Sequence, residues 1–374
     1  MFIRMRRSIA TFVSTAVLLV TPCAARAQWT AQESPVTTEL RGLSVVSPRV
    51  VWASGVGGTV LRTTDGGAHW TSTVIPGADS LDLRAIDATS ATTAHALSIA
   101  DSSRIYRTTD GGKTWSRRWS ATRKGTFLDA LRFWDARHGI AMSDPVDGTF
   151  LLLTTSDGGE HWNEIPADHI PPAAPGEGGF AASGSCIAVY GATHVWIVSG
   201  GATSARIYHS ADRGQSWTVH DTPLRAGVAS AGAFSVAFRD PMHGVIAGGD
   251  YAKPTLRGRN LAVTSDGGAT WTLSDSASSP AGYRSAVAFV PGTHANTMVA
   301  VGLTGTDISS DEGETWRSVD STAFNSVRFA SPTAGWAVGP KGRIARWVSG
   351  ASSRSSPASR SPRSRDRRSD RRGS

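Results

Sequence analysis

Cysteine is almost absent from this chain of 374 residues, which contains only Cys23 and Cys186. Cys23 lies in an N-terminal stretch that we expect to be removed, so the mature chain would keep one thiol and could form no internal disulfide. Stability must therefore come from packing. We expect Cys186 to be a small, buried apolar residue.

The signatures of several enzyme classes are also missing. The ten histidines show no spacing typical of metal ligands, and no Gly-x-Ser-x-Gly elbow occurs. The glycine-rich stretch 55–58 has no helix after it that would make it a phosphate cradle. We therefore predict no metal and no cofactor. No stretch of the mature chain shows sustained helical periodicity, which predicts an all-β protein.

The net charge of +8 does not describe the folded body. The first 27 residues contribute four arginines, and the tail after Gly350 contributes eight arginines against two aspartates, which leaves −2 for the body. A body this close to neutral does not indicate nucleic-acid binding. The tail, residues 350–374, lacks apolar residues and is predicted to be disordered. It is a candidate contact for anionic lipid or polysaccharide, and a solvated tail without a ligand is the alternative.

Residues 1–27 have the composition of a secretion signal. Arg4, Arg6 and Arg7 precede the apolar run 9–20, and small residues follow at 25–27. The run is too short to span a bilayer as a helix, so no transmembrane span is predicted in the mature chain. We expect an exported protein, periplasmic or secreted. Twin-arginine export and a lipid anchor at Cys23 are the alternatives.

One motif, Ser/Thr-x-Asp-x-Gly-x-x-Trp, occurs six times. Its aspartates are spaced by 45, 47, 55, 54 and 45 residues, which indicates a repeat architecture. The aspartate and tryptophan of each copy are Asp65 and Trp70, Asp110 and Trp115, Asp157 and Trp162, Asp212 and Trp217, Asp266 and Trp271, and Asp311 and Trp316. This motif is the Asp-box, or BNR repeat.

The chemistry of the box favours a structural role. Asp carboxylates and Ser/Thr hydroxyls accept hydrogen bonds from nearby backbone N–H groups, and glycine adopts positive φ without steric cost. The tryptophan adds a large apolar area. We therefore interpret each box as a pinned hairpin turn with an aromatic anchor, and its aspartate as structural.

Four short strands per period predict the blades of a propeller. In the second repeat we predict strands at 83–86, 94–99, 105–108 and 115–119. The last repeat, 324–347, has three strands and no box. The mature N-terminus begins Gln28-Trp29-Thr30, like the segments that follow the boxes. We therefore predict a seven-bladed β-propeller over 28–349, with the last blade closed by the N-terminal strand.

The boxes, together with the Gly-Trp-Ala-Val-Gly segment at 335–339, resemble the exported propellers related to the photosystem II stability/assembly factor. The resemblance covers residues 40–347. It implies a seven-bladed scaffold that binds proteins or assists assembly.

Sialidases and some endoglucanases also carry Asp-boxes. Sialidases pair them with an Arg-Ile-Pro segment, which is absent here, and the related endoglucanases typically join two propellers. We therefore expect an exported, non-enzymatic scaffold that binds a protein or glycan partner or assists assembly in the bacterial envelope. A glycoside hydrolase-like enzyme, or another enzyme using the loop-rich face, is the alternative.

The insertions predict where a ligand would bind. Extra length falls at 144–148, 166–183, 200–204 and 248–259, all in connections that share one face of a propeller, here called the loop-rich face. The opposite face carries the boxes and is called the box face. We expect Glu177 to project over the channel mouth on a glycine-rich turn. The ligand-binding candidates are Asp144, Asp147, Glu177, Arg206, Asp250, Tyr251, Tyr283 and Arg284.

Overall fold

Short strands follow one another along the whole described part of the chain. The computed structural model describes residues 29–100, 103–274, 280, 282–293 and 296–348. Blades 1 to 3 contain β2 (Leu40–Val45), β3 (Val51–Gly55), β4 (Thr59–Thr63), β5 (Thr71–Val74), β6 (Leu83–Ala88), β7 (Ala94–Ser98), β8 (Arg104–Thr108), β9 (Ser116–Ser120), β10 (Leu128–Phe133), β11 (Gly139–Val146), β12 (Thr149–Thr155) and β13 (Asn163–Glu164). Blades 4 to 6 contain β14 (Ile187–Tyr190), β15 (His194–Val198), β16 (Ala205–Ser210), β17 (Thr218–Thr222), β18 (Ala231–Phe238), β19 (Gly244–Asp250), β20 (Leu261–Thr264), β21 (Thr272–Leu273), β22 (Ala286–Phe289), β23 (Met298–Gly302), β24 (Gly305–Ser309) and β25 (Arg317–Asp320). Blade 7 contains β26 (Ser326–Ser331), β27 (Ala334–Val338), β28 (Ile344–Trp347) and β1 (Trp29–Gln32).

Each blade is a four-stranded antiparallel sheet, and seven such sheets are present. The first strands of successive blades contact one another around a ring that ends with β26 against β2. They are therefore the innermost strands. In blade 1 the middle strand β3 is buried throughout, whereas the outermost strand β5 is exposed throughout. The predicted seven-bladed, all-β propeller is confirmed.

The N-terminal strand closes blade 7. β1 pairs antiparallel with β28, and Trp29 lies opposite Trp347. The two indole rings meet edge to face at 5.1 Å, and Trp29 Nε1 donates a hydrogen bond to the Thr306 hydroxyl of blade 6 at 3.0 Å. The predicted closure is therefore confirmed. The expected signal at 1–27 and the expected tail lie outside the described residues.

The six boxes share one pattern of hydrogen bonds. In the second box the Thr108 hydroxyl donates to Asp110, and Asp110 accepts the N–H of Thr114 at 3.0 Å. Gly112 N–H donates to the Thr108 hydroxyl at 3.0 Å, and Gly112 adopts a φ of 85°. These contacts support the structural interpretation of the box.

Burial of the box tryptophans is less complete than the sequence suggested. Only Trp162 and Trp316 are buried, and the other four are partly exposed. Trp115 lies edge to face with Trp52 of the preceding blade, with ring centroids 6.4 Å apart. The tryptophan is therefore a contact between blades as well as an anchor for its own turn.

The connection between blades 3 and 4 fills the channel. It contains a short 3-10 helix (Ala167–His169) and then the segment 180–185, which is buried except for the half-buried Phe180 and is here called the plug. Plug carbonyls accept hydrogen bonds from blades 1, 2, 3 and 7, and plug hydroxyls donate to blades 5 and 6. The pairs are Arg41 to Ala182, Arg84 to Ala181, Arg132 to Gly184, Ser326 to Ser183, Ser185 to Ser235, and Ser183 to the Ser285 carbonyl, at 2.8–3.3 Å. This insertion, expected to be a surface loop, contacts all six other blades.

The predicted strand limits in blade 2 need small corrections. The segment after the box begins at Ser116 rather than Trp115, because the Trp115 ring packs sideways between blades. The inner strand extends to Ala88 rather than ending at 86.

Candidate functional site

A cavity of about 440 Å³ opens above the plug on the loop-rich face. We call it the mouth cavity. Arg41, Arg84 and Asp129 line one part of it, and aromatic side chains line the rest. Four inner strands contribute to its wall, so the cavity lies around the axis of the propeller.

β-Bulges direct four side chains into this cavity. The strand register shifts by one residue between Leu40 and Gly42, and the same shift recurs in blades 2, 3 and 5. A bulge inserts one extra residue and re-aims its side chain. The inserted residues are Arg41, Arg84, Asp129 and Phe234, and all four line the mouth cavity.

Sequence reasoning missed all four of these residues. For the three charged ones a signal was present, because Arg41, Arg84 and Asp129 each follow a leucine and precede a glycine or alanine at the same place in the repeat. A charged side chain at a recurring position between apolar inner-strand residues is typical of a functional position on a propeller axis.

Two acids of blade 3, Asp129 and Asp144, lie beside the mouth cavity, and Asp129 lacks the partners that a buried carboxylate normally has. Asp129 is fully buried, and neither carboxylate oxygen has a hydrogen-bond partner among the described residues. Burial, followed by the nearby charge of Asp144, raises the pKa of Asp129 well above its usual value. Burial also raises the pKa of Asp144 to about 6, against the opposing effect of a hydrogen bond from Gly179 N–H. Asp144, the more accessible of the two, would therefore favour a ligand group that donates hydrogen bonds or carries positive charge.

Gly179, the residue just before the plug, packs tightly against these acids. A side-chain carbon built on Gly179 would lie 2.4 Å from an Asp129 oxygen, so only glycine fits at this position. Arg41 and Arg84 lie on the opposite wall. Arg41 contacts Glu39 at 2.9 Å, and Arg84 contacts Asp82 at 2.7 Å.

Five aromatic residues line the mouth cavity, and four of them pack against one another. Phe180 of the plug stacks on Phe234 with ring centroids 3.8 Å apart, and Tyr283 meets Phe234 edge to face at 4.8 Å. Tyr251 lies edge to face with Phe234 at 6.1 Å and is 50% exposed. Burial raises the pKa of Tyr283 above its usual value. The cavity thus has an apolar, rigid side and a charged side.

The predicted ligand-binding residues lie in several separate places in the structure. Asp144, Tyr251 and Tyr283 line the mouth cavity. Asp147 lies in the turn between β11 and β12 with a φ of 54°, and its side chain is 85% exposed. Asp250 is buried and accepts the N–H of Ala252, which identifies it as a turn-stabilising residue.

Glu177 does not project over the channel mouth, and that expectation is wrong. Its buried carboxylate accepts hydrogen bonds from Arg206 Nε at 3.0 Å, from the Tyr208 hydroxyl at 3.1 Å and from Ala174 N–H at 2.7 Å. These contacts anchor the loop that leads into the plug. Arg206, a second predicted ligand-binding residue, is thus the partner of Glu177, and the pair is internal.

Arg284 is fully buried as well. Its Nε donates to Asp307 at 2.6 Å, and its Nη1 donates to the Tyr283 carbonyl at 2.9 Å. Arg284 therefore positions Tyr283 instead of offering its own charge to a ligand. None of these three predicted residues lines the mouth cavity. Glu177 and Arg206 anchor the loop that leads into the plug, and Arg284 positions Tyr283.

No metal site or membrane span is present in the described ranges. No three His, Cys, Asp or Glu side chains there converge closely enough to hold a metal ion. Within the same ranges, none of the helical segments has the length and apolar character needed to cross a membrane.

The ring, the boxes and the closure define the class of this protein: it is a BNR-type β-propeller. A family model described as photosynthesis system II assembly factor YCF48 matches residues 21–118. The chain is similar to the solved structure of YCF48 from Cyanidioschyzon merolae, with 19% identity over 86% of this chain and 99% of that chain, and a TM-score of 0.61. A structure described as YCF48 bound to D1 peptide shares 18% identity over 86% of this chain and 97% of that chain, with a TM-score of 0.41.

No curated protein matches the sequence. The resemblance to the photosystem II assembly factor that the sequence suggested is confirmed by the family model and by the shared fold. At 19% identity the structural likeness establishes the fold and does not extend to a ligand.

Proposed function

We propose that this protein is a non-enzymatic propeller scaffold that binds a polypeptide segment at the mouth cavity. The observation that carries the proposal is the composition of that cavity, in which rigid aromatic rings face two arginines and a buried, unpartnered carboxyl group. Tyrosine and arginine are the residues that most often dominate protein interfaces.

Two features favour a polypeptide ligand. The exposed apolar side chains Tyr251 and Leu303 both lie at the rim, where an incoming side chain would cover them. The charged side of the cavity offers both signs, which suits the mixed polar groups of a peptide. The plug backbone forms a fixed floor, so the ligand meets a preorganised surface.

A displayed library of linear peptides, selected on the full-length protein, tests this proposal. We expect enriched peptides whose affinity, measured by calorimetry, falls about tenfold in Tyr251→Ser and in Leu303→Ser, by analogy with other buried interface anchors. The matched control is Val74→Ser, which removes an equally exposed apolar side chain from outer strand β5. Failure to enrich peptides, or equal losses in the control, would overturn the proposal. Binding to a glycan array, with no enrichment of peptides, would indicate a carbohydrate partner instead.

Export forms part of the proposal because residues 1–27 have the composition of a secretion signal. Fractionation of cells that produce the full chain should place the protein outside the cytoplasm, in the periplasm or the medium. A variant lacking residues 2–27 should remain inside. Retention of the full chain in the cytoplasm would contradict export, whatever the result of the peptide selection.

Glycoside hydrolysis is the second candidate function, favoured by one observation. Asp144 lines an open cavity and its pKa is raised to about 6 by burial, as in general acids of this class. A second carboxylate able to reach substrate is also needed, and Asp129 is fully buried. Turnover of chromogenic glycosides that is lost in Asp144→Asn would establish the enzyme and replace the scaffold proposal.

A further inference from the structure

One carboxylate oxygen of the mouth cavity is open to a ligand and has no partner within the protein. Asp144 lines the cavity, and its Oδ1 accepts the N–H of Gly179 at 2.6 Å. Its Oδ2 makes no hydrogen bond to any described residue and, unlike the two oxygens of Asp129, it is not enclosed by protein atoms. A ligand that enters the cavity can therefore reach Oδ2 of Asp144, whereas the Asp129 oxygens are out of reach.

The two arginines of the cavity have counterions of their own. Arg41 contacts Glu39 at 2.9 Å, and Arg84 donates through Nε to Asp82 at 2.7 Å. Each arginine also donates to a carbonyl of the plug. Asp144, in contrast, forms no ion pair within the described ranges. It is therefore the accessible charged group of this cavity that lacks a counterion.

The single open oxygen favours one kind of cation. A guanidinium group binds a carboxylate best through two parallel hydrogen bonds, one to each oxygen. Gly179 already engages Oδ1 of Asp144, which disfavours that paired contact. A primary ammonium group is a compact point charge with three N–H donors, and one oxygen is enough for it. Burial raises the pKa of Asp144 to about 6, so its charged form lacks a stabilising contact that an ammonium group would supply.

Aromatic residues flank Asp144, and the plug closes the cavity below. The N–H of Asp144 donates to the Phe127 carbonyl at 2.9 Å, and Gly179, which the carboxylate holds, precedes Phe180. Both phenylalanines line the cavity. Aromatic rings beside a carboxylate suit the apolar stem and the charged head of an alkylammonium group. Because the floor is closed, such a group would enter from the loop-rich face as a chain end or a side chain.

We propose that the mouth cavity binds a primary ammonium group through Oδ2 of Asp144. This inference rests on the proposed polypeptide ligand, in which the amino terminus and the lysine side chain both carry such a group. The ammonium group donates to the open oxygen, and its apolar stem contacts Phe127 and Phe180.

NMR titrations of the full-length protein with three small probes of similar shape test the charge requirement. The probes are 2-phenylethylamine, its uncharged analogue 2-phenylethanol and the anion 3-phenylpropanoate. At neutral pH we expect the amine to bind saturably and at least about tenfold more tightly than the alcohol or the anion, because the amine alone forms a charge-assisted hydrogen bond with Asp144. No saturable binding of the amine, equal affinities, or tighter binding of the anion would overturn the proposal.

Two matched substitutions test the residue. Asp144→Asn removes the charge but keeps an oxygen for the Gly179 N–H, and it should weaken binding of the amine by about tenfold or more. The control is Asp147→Asn, which removes the same charge from an exposed turn of the same blade, where asparagine tolerates the φ of 54°. It should keep the affinity for the amine within about twofold. Unchanged binding in Asp144→Asn, or an equal loss in the control, would contradict the assignment.

Selected peptides separate this inference from the proposed function and identify the source of the ammonium group. Each peptide is compared with its N-acetylated form and with a form in which norleucine replaces lysine. Loss of affinity on acetylation assigns the amino terminus, and loss on replacement assigns lysine. Full affinity with both changes combined would leave the scaffold proposal intact and rule out the ammonium site. Binding of the amine that depends on Asp144, without any enriched peptide, would support the ammonium site and rule out the polypeptide ligand.

Discussion

Aspartates at the two faces of this propeller have opposite properties. In the six boxes every aspartate accepts hydrogen bonds from its own turn, and every one has a lowered pKa. For Asp110, the Thr114 hydroxyl and then the Thr114 N–H lower the pKa to about 2. At the mouth cavity, burial raises the pKa of both Asp129 and Asp144.

The difference separates the carboxylates that stabilise the box turns from those of the candidate site. In Asp212, Asp266 and Asp311 burial is the largest single influence and raises the pKa, yet the hydrogen bonds together outweigh it. Asp129 has no such hydrogen bonds, so its burial is uncompensated. Asp129 is therefore a candidate functional residue.

The largest expected effect is on the box side. Trp316 is buried, and its Nε1 donates to the Gly313 carbonyl and the Ser274 hydroxyl. Trp316→Ala should lower the free energy of unfolding by about 3–5 kcal/mol, measured by urea denaturation. Affinity for a selected peptide should be unchanged in the protein that still folds. Selective loss of binding by a well-folded variant would contradict the structural interpretation of the boxes.

Substituting aspartates on the two sides should change stability in opposite directions. Asp129→Leu replaces an unpartnered carboxyl group with an apolar group of the same branched shape and should raise the free energy of unfolding by about 1–3 kcal/mol. Asp266→Ala, the control on the box side, removes hydrogen bonds from the turn and should lower it by about 1 kcal/mol. A loss of stability in Asp129→Leu would show that the acid has an internal partner.

The pH dependence of stability should also separate the two sides. The pKa of Asp144 is about 6 in the folded state, so between pH 4 and 6 the folded state binds more protons and stability falls as pH rises. The buried ring of His95 and the half-buried ring of His209, whose pKa values desolvation lowers to about 4, act in the opposite direction in this window. The difference between wild type and Asp144→Asn therefore isolates the effect of Asp144.

We expect Asp144→Asn to gain stability relative to wild type as pH rises from 4 to 6, and the difference to level off above that. The loss of stability below pH 4, where the box aspartates become protonated, should be the same in both proteins. Thermal unfolding at half-unit steps of pH measures this. If the difference in stability between the two proteins did not vary with pH, Asp144 would not be a buried carboxyl group beside Asp129.

The smallest expected effect on stability is at the rim of the mouth. Tyr251→Ser should change the free energy of unfolding by no more than about 0.5 kcal/mol, because the side chain is 50% exposed. The same substitution should weaken peptide binding. A large loss of stability would assign Tyr251 to the packing of the plug.

The sequence predicted the repeat-based features well. Each box carries its own hydrogen-bonding residues within eight positions, and the segment at Trp29 resembles the strands that follow the boxes. Residues that bond within their own turn and recur at a regular period can be recognised from the sequence alone. The number of blades and the closure could therefore be predicted.

The candidate site was harder to predict because its contacts are long-range. The ion pair of Glu177 with Arg206 spans 29 residues, and nothing local shows that the acid points inward. The bulges that aim Arg41 and Asp129 at the axis depend on register between strands. The glycine-rich insertion was recognised, but as a surface loop, because its buried serines find partners only on distant blades.

The plug affects how the blades unfold and how fast their backbone amides exchange hydrogen with solvent. In most repeat proteins each unit contacts only its neighbours, so single units can fray and re-form independently. Here hydrogen bonds from one short segment reach all six other blades. Displacing any blade would break contacts at the centre, which joins the seven blades into one cooperative unit. Backbone amides next to the plug should therefore exchange with deuterium only as fast as the whole ring unfolds.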